Sequence, residues 1–379
     1  MKKSTLIAKT TVLASVVTLL AACASTPPVS FEAKPRKIML TTAETILTQL
    51  TTEEKVAQLF IITPEQFSAD ARTAVTQEFS DTVAAYPVGG FILFARNIES
   101  PAQLRAFNIN LRKTCSIPPL IATDEEGGRV ARLARSEQFF LPQFESMMTI
   151  GATKNTENAR GAGQIIGSYL MTYGFTLDFA PDADVNTNPN NIVIGNRAFG
   201  SNPQLVSDMV SAFLSGLHST GMNGCLKHFP GHGDTRGDTH SDYVAVTKTW
   251  SELKTCELIP FVQNLSAADC IMVAHVTCTA VDKTYPASLS KALITDRLRG
   301  ELGYQGVILT DALNMGAIEK NYGSGEASVL AFEAGNDILL MPKDFHAAYT
   351  ALLNAVRSGR ISRDRLDESV LRILALKGY

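Results

Sequence analysis

The sequence has little that would tie it to nucleic acid, to a redox cofactor or to a membrane-spanning role. Its 34 lysines and arginines are balanced by 37 aspartates and glutamates, a net charge of −3. The basic residues form no cluster that would track a phosphate backbone, so no nucleic-acid partner is expected. Cysteine is scarce, six in 379 residues, with no Cys-x-x-Cys pair to hold a metal or a redox couple. No Gly-x-Gly-x-x-Gly follows the first strand-like run, which argues against a dinucleotide site. The apolar run over residues 11–20 is shorter than the ~20 residues a spanning helix needs. Low-complexity tracts are absent as well. The chain is 45% hydrophobic and 19% charged, with 26 Gly and 16 Pro, which excludes disorder and collagen-like repeats. A globular enzyme or binding protein remains, long enough for one large domain or two ordinary ones.

The N-terminus stands apart. Lys2 and Lys3 precede that apolar run, which ends in Leu20, Ala21, Ala22 and Cys23. A basic start, a short apolar run and small residues before a cut site describe a secretory signal. Ending it on Leu-Ala-Ala-Cys is similar to bacterial lipoprotein signals, in which cleavage leaves Cys23 as the lipid-bearing N-terminus. The expected organisation is a signal peptide over 1–22, Cys23 and a tether over 23–41 carrying Pro27, Pro28 and Pro35, and one domain over 42–379. Losing Lys2, Lys3 and Lys9 leaves 31 basic against 37 acidic side chains, so acyl chains on Cys23 rather than a basic patch would hold the protein to a membrane. Ala24 and Ser25, with no Asp after the Cys, are similar to Gram-negative lipoproteins of the outer membrane. That implies a cell-envelope protein facing the periplasm or the cell surface. The five other cysteines, Cys115, Cys225, Cys256, Cys270 and Cys278, are an odd number and cannot pair completely. Cys225 and Cys270 lie inside apolar runs and read as small buried hydrophobes.

Beyond the tether a repeating pattern begins. Thr51 and Glu54 form a capping-box start to a helix running towards Gln58. Short apolar runs then occur at 59–63, 90–94, 120–123, 176–180, 224–228, 270–275, 307–310 and 337–341. They lack strict alternation, as strands buried on both faces do. Helix-like stretches lie between them, among them 101–113, 204–218, 289–302 and 325–334, and two more at 345–357 and 363–377 close the chain. Eight strands alternating with helices predict an α/β protein of the (β/α)8 TIM-barrel type, with nothing left for a second domain. An open doubly wound sheet is the runner-up.

In such a barrel, function gathers where strands end at their C-terminal face. Polar residues fall there: Asp124, Glu125, Glu126 and Arg129 after the third run, Asp178 and Asp182 with Arg197 after the fourth, Lys227 and His228 after the fifth, His275 after the sixth, Asp311 after the seventh. Together they describe a pocket for a polyhydroxylated ligand. The segment from Lys227 to Asp242 also holds His232, Asp234, Asp238 and His240. His228, His232 and Asp234 resemble the ligand spacings of zinc hydrolases. Its glycines read as a mobile loop, however, and a metal site wants rigid ligands, so no metal and no cofactor are expected. Asp238 and His240, two apart, can point the same way, the carboxylate fixing the imidazole tautomer and making His240 a general acid and base.

Four stretches carry a family resemblance: Lys227-His228-Phe229-Pro230-Gly231-His232-Gly233-Asp234-Thr235 with Asp238-Thr239-His240, Asp124-Glu125-Glu126-Gly127-Gly128-Arg129-Val130, Ile194-Gly195-Asn196-Arg197-Ala198-Phe199, and Gly306-Val307-Ile308-Leu309-Thr310-Asp311-Ala312-Leu313-Asn314-Met315. The chain resembles glycoside hydrolase family 3 in its β-N-acetylglucosaminidase branch over about residues 45–379. The resemblance implies an exo-acting, retaining double displacement. Asp311 matches the nucleophile, His240 the acid and base, and Asp238 its partner. Asp124, Arg132, Arg197, Lys227 and His228 match the residues that grip N-acetylglucosamine, with Lys227 or Arg197 keeping Asp311 ionised. Glu125 and Glu126 are read as structural, and His275 as lining the pocket or bracing its strand. The implied substrate is a β-linked N-acetylglucosamine glycan such as peptidoglycan fragments, and the implied state a monomer. Alternatives are a family 3 β-glucosidase, a phosphorolytic enzyme (a neutral imidazole repels phosphate less than a carboxylate does), a zinc hydrolase, and a non-catalytic sugar-binding lipoprotein.

Overall fold

The computed structural model describes residues 42–236 and 244–379. The expected signal peptide and tether, Cys23, Asp238 and His240 lie outside the described residues. Among the described residues ten strands occur in chain order: β1 (Phe60–Ile62), β2 (Gly90–Ile92), β3 (Leu120–Thr123), β4 (Leu177–Asp178), β5 (Asn223–Phe229), β6 (Val244–Val246), β7 (Cys270–Val273), β8 (Val276–Cys278), β9 (Val307–Thr310) and β10 (Leu339–Leu340). Eight of them form one parallel sheet in the order β10-β1-β2-β3-β4-β5-β7-β9, and a parallel bridge from Leu309 to Ile338 brings its two ends together. The result is the (β/α)8 barrel expected from the sequence, each apolar run there supplying one strand. β6 and β8 pair separately, Val244 opposite Val276.

These strands are short and buried on both faces because helices cover the outside and side chains fill the inside. β1, β2, β3, β7 and β9 carry no exposed residue at all. The helices start where local chemistry allows. Thr51 and Glu54 form the anticipated capping box, Thr51 N–H donating to Glu54 Oε2 at 2.8 Å and Glu54 N–H to Thr51 Oγ1 at 3.2 Å. Helix Pro101–Arg112 begins with Pro at its first position behind a Ser100 cap, and Pro203–His218 does the same behind Asn202. Helix Phe345–Arg357 has the expected bounds, and Arg363–Leu376 stops one residue short of them. Over 289–302 the structure departs from expectation: the helix is confined to Ala292–Glu301 and wound wider, Leu302 N–H reaching back five residues to the Arg297 carbonyl at 2.8 Å.

Helix Thr156–Thr172, which follows β3, packs closely on Pro203–His218, which follows β4. Glycine makes that approach possible, since a Cβ on Gly163 would collide with the Phe213 carbonyl oxygen and one on Gly216 with the Arg160 carbonyl oxygen. Among the described residues no helix is long and apolar enough to cross a membrane.

Candidate active site

The C-terminal ends of the strands converge on a cavity of about 370 Å³, lined among others by Asp124, Glu126, Arg132, Arg197, Lys227, His228, His232 and Asp311. A more open cleft of about 790 Å³ lies at the opposite pole, where Arg299, Arg365 and Arg372 surround the buried Asp337. Its arginines are taken up by that carboxylate and by backbone carbonyls such as Gly306 and Asn336, so they hold strands and helices together.

Lys227 is the hinge of the first cavity. Its side chain is 2% exposed, and Nζ lies 2.9 Å from Asp124 Oδ1 and 2.6 Å from Glu126 Oε1. Arg132 reaches Asp124 Oδ2 at 3.1 Å. Arg197 meets Glu126 with two donors, Nε at 2.9 Å and Nη2 at 2.7 Å. Burial opposes the charges of Lys227, Asp124, Glu126 and Arg197, and the pairing outweighs it. Lys227 is held above the usual ammonium range by Asp124 and Glu126, Asp124 below the carboxylate range by Lys227 and Arg132, and Glu126 far below it by Arg197 and Lys227. All three stay charged at neutral pH, leaving a rigid array of fixed donors and acceptors. The structure thus brings Asp124, Arg132, Arg197 and Lys227 together around Glu126.

Glu126 corrects the expectation. Read as structural, it lines the cavity and is the counter-charge shared by Lys227 and Arg197. Glu125 fits the structural reading. Wholly buried, it turns away and accepts N–H bonds from Arg132, Leu133 and Ala134 at 2.5, 2.9 and 2.8 Å, and the Tyr169 hydroxyl at 2.9 Å, which shapes the loop carrying Arg132. Adjacent carboxylates on an extended segment point to opposite sides, and only the tertiary fold says which side is the pocket.

His228 is held from both ends. Asp184 Oδ2 lies 2.7 Å from Nδ1, and Arg197 Nη2 lies 3.1 Å from Nε2. A guanidinium only donates, so Nε2 accepts and Nδ1 carries the proton towards Asp184. Burial, and then the Arg197 charge, push the His228 pKa down to about 4, so this imidazole is neutral. Asp184, absent from the sequence-based candidates, also accepts the His232 N–H at 2.6 Å, and its own N–H donates to Asp182 Oδ1 at 2.9 Å. Burial and the Asp184 charge raise the Asp182 pKa to about 8, so this carboxyl holds its proton at neutral pH. An Asp two residues beyond Asp182, in Asp182-Ala183-Asp184-Val185, was the only signal available in the sequence.

Residues 231–235 are anchored more firmly than their glycines suggest. Residues 231–235 are mostly buried, His232 and Thr235 being 1% and 2% exposed. The Asn191 amide donates to the His232 carbonyl at 2.8 Å and the Asn188 amide to the Thr235 carbonyl at 2.8 Å. Cross-loop hydrogen bonds, invisible to local composition, override glycine's freedom here. The zinc spacing does not assemble: Asp234 turns to Thr187 at 3.1 Å and Lys248 at 3.0 Å. Ligand atoms of Asp182, Asp184 and His228 do lie within 4.8 Å of one another, but the Arg197 cation sits 3.6 Å from Asp182 and 3.1 Å from His228.

Asp311 follows β9 on the far side of the cavity. Its N–H donates to the Val273 carbonyl at 2.9 Å, and its Oδ1 accepts the Ala312 N–H at 2.7 Å. The closest contacts of Lys227 and Arg197 go to Asp124 and Glu126. His275 does not line the cavity. It is buried behind it, 2.9 Å from the Ala312 carbonyl and 2.7 Å from Ser288 Oγ.

A parallel eight-stranded barrel with a sugar-sized polar cavity at its C-terminal mouth, rich in fixed carboxylates and cations, has the architecture of a glycoside hydrolase. The comparison with protein families agrees: residues 51–376 match the glycosyl hydrolase family 3 N-terminal domain, and the chain belongs to that family. It is 35% identical over 343 residues to beta-hexosaminidase A of Pseudoalteromonas piscicida, covering 82% of this chain and 57% of that protein. A beta-hexosaminidase of Tolumonas auensis is 35% identical over 278 residues, covering 73% of this chain and 81% of the relative. The solved family 3 beta-N-acetylglucosaminidase of a Paenibacillus strain superposes with a TM-score of 0.80 at 40% identity, covering 86% of this chain and 62% of that one.

Proposed function

We propose that the protein is a retaining exo-β-N-acetylglucosaminidase. The observation that carries this reading is Asp311 and the paired Asp124–Lys227–Glu126–Arg197 array lining one cavity. The names of its relatives and of the solved neighbour support the choice of sugar. Asp124 accepts hydrogen bonds from sugar hydroxyls, while Arg132, Arg197 and Lys227 donate to ring substituents. A ring so gripped is aligned for attack, and array geometry fixed before binding favours the oxocarbenium-like transition state. Asp311 attacks the anomeric carbon as the glycosidic bond breaks, and His240, oriented by Asp238, gives its proton to the departing oxygen. His240 then takes a proton from water, which attacks the same carbon and releases Asp311 and N-acetylglucosamine. Neutral His228 accepts from Arg197, fixing the guanidinium that holds Glu126.

The substrate in this reading is the non-reducing end of a β-linked N-acetylglucosamine glycan, of which peptidoglycan fragments are an instance. The protein acts as a monomer anchored through lipid on Cys23 after loss of residues 1–22, with 23–41 as tether and 42–379 as the barrel, in the cell envelope and at the outer membrane. Incorporation of labelled palmitate, lost in Cys23→Ala, tests the anchor.

The activity is tested with aryl β-N-acetylglucosaminide and aryl β-glucoside side by side, using wild type and Asp311→Ala. Turnover of the first alone, abolished in the variant, is the expected result. No turnover of either by the wild type would overturn the reading and favour a sugar-binding protein. Repeating the assay in phosphate and identifying the product as free sugar or sugar phosphate separates hydrolysis from phosphorolysis.

A further inference from the structure

We infer that His275 is a positioning residue for Asp311, acting through the Ala312 peptide; the inference rests on the proposed role of Asp311. His275 stands just beyond β7, is 0% exposed, and does not line the cavity. Its Nε2 lies 2.9 Å from the Ala312 carbonyl oxygen. A carbonyl only accepts, so Nε2 carries the proton, and Nδ1 is left to the Ser288 hydroxyl 2.7 Å away. Ser288 is itself fixed: its N–H donates to the Ala274 carbonyl at 3.1 Å, and its carbonyl accepts the Asn336 amide at 2.8 Å. Asn336 also donates to the Ala331 carbonyl at 2.7 Å, which ties this chain of groups to the helix before β10.

The other side of Ala312 completes the argument. Its N–H donates to Asp311 Oδ1 at 2.7 Å, while the Asp311 N–H is held by Val273 at 2.9 Å. Both peptide groups flanking the Ala312 Cα are therefore restrained, one by the Asp311 carboxylate and one by the imidazole. Rotation about Ala312 would swing away the N–H that orients Oδ1. Three fully buried polar side chains, His275, Ser288 and Asn336, make this arrangement. A barrel wall needing only volume would use aliphatic residues, since a buried polar group left without its partner is destabilising. Here both ring nitrogens of His275, the Ser288 hydroxyl and the Asn336 amide nitrogen are engaged, and the line they form ends at the residue next to the carboxylate that faces the sugar. Catalytic groups held by locked neighbours keep the sub-ångström alignment that turnover needs.

The test compares His275→Leu, which fills the space without a donor, with His275→Gln, whose amide can still donate to the Ala312 carbonyl. Expected for His275→Leu is a fall of about 100-fold in kcat for aryl β-N-acetylglucosaminide with KM nearly unchanged, and partial recovery in His275→Gln. Hydrogen exchange of the peptide carrying residues 311–315 should be faster in the Leu variant and close to wild type in the Gln variant. Equal losses in both variants, a rise in KM alone, or unchanged exchange in His275→Leu would overturn the inference. If the wild type fails to turn over the glycoside, the hydrolase reading falls, while the exchange comparison still decides whether His275 holds the Asp311 segment. If His275→Leu does not fold, Ser288→Ala takes its place: faster exchange over 311–315 supports the inference and unchanged exchange overturns it.

Discussion

Arg197 and Glu126 form a two-pronged ion pair at the floor of the cavity, Nε to Oε2 at 2.9 Å and Nη2 to Oε1 at 2.7 Å. The same carboxylate serves Lys227 at 2.6 Å, so one buried anion fixes two of the cations that line the cavity. Removing it strands both.

Glu126→Gln is accordingly expected to lower kcat/KM by about 10- to 100-fold, the equivalent of one or two charge-assisted hydrogen bonds. It is also expected to cost about 3 kcal/mol of stability, because two buried cations lose their counter-charge. Steady-state kinetics and urea unfolding on the same preparation check both, and full activity in the variant would contradict the shared-anion arrangement.

His228 should titrate near 4 rather than near the ordinary histidine value, as followed by its imidazole NMR shifts. Burial is the larger cause and the Arg197 charge the next, so Arg197→Met should move the titration upward. The folded form refuses a proton that the unfolded chain accepts below about pH 6.5. Its contribution to stability is therefore present above pH 6.5 and is lost as the pH falls towards 4.

Tyr169→Phe probes the structural carboxylate. The hydroxyl donates to Glu125 Oε1 at 2.9 Å, an atom that also takes the Ala134 N–H. The loss should be about 1–2 kcal/mol in urea unfolding with kcat unchanged, since Glu125 faces away from the cavity. A large fall in kcat at normal KM would show that the loop after β3 transmits strain to Arg132.

Two glycines of one helix should respond in opposite directions. Gly163→Ala drives a methyl into the Phe213 carbonyl and is expected to cost about 1–3 kcal/mol. Gly161, in the same helix Thr156–Thr172, has nothing within 4 Å of its would-be Cβ, and Gly161→Ala should stabilise by roughly 0.5–1 kcal/mol. Thermal midpoints of the pair, measured together, decide the matter.

Much of the barrel was legible in the order of residues, because each strand is buried on both faces and therefore reads as a short unbroken apolar run between amphipathic stretches. Helix starts at Thr51, Ser100 and Asn202 were equally local, fixed by a side chain capping its own first turn. Strand ends could be named for the same reason, and with them Asp124, Lys227, His228 and Asp311. What the linear pattern could not carry were choices between neighbours. Glu125 and Glu126 are chemically alike and adjacent; one closes a loop and the other anchors the pocket, a division made by strands β4 and β5 arriving from 50 to 100 residues away. Asp184 and His275 act through partners 44 and 37 positions distant, and the glycines of 231–233 are stilled by amides from another loop. Sequence alone determined where the eight barrel strands form and most of the chemical groups that crowd the barrel mouth, since those follow from local periodicity and strand ends. Tertiary structure decided which of those groups meet, with what charge and in which tautomer, because burial and pairing exist only once the distant segments are brought together.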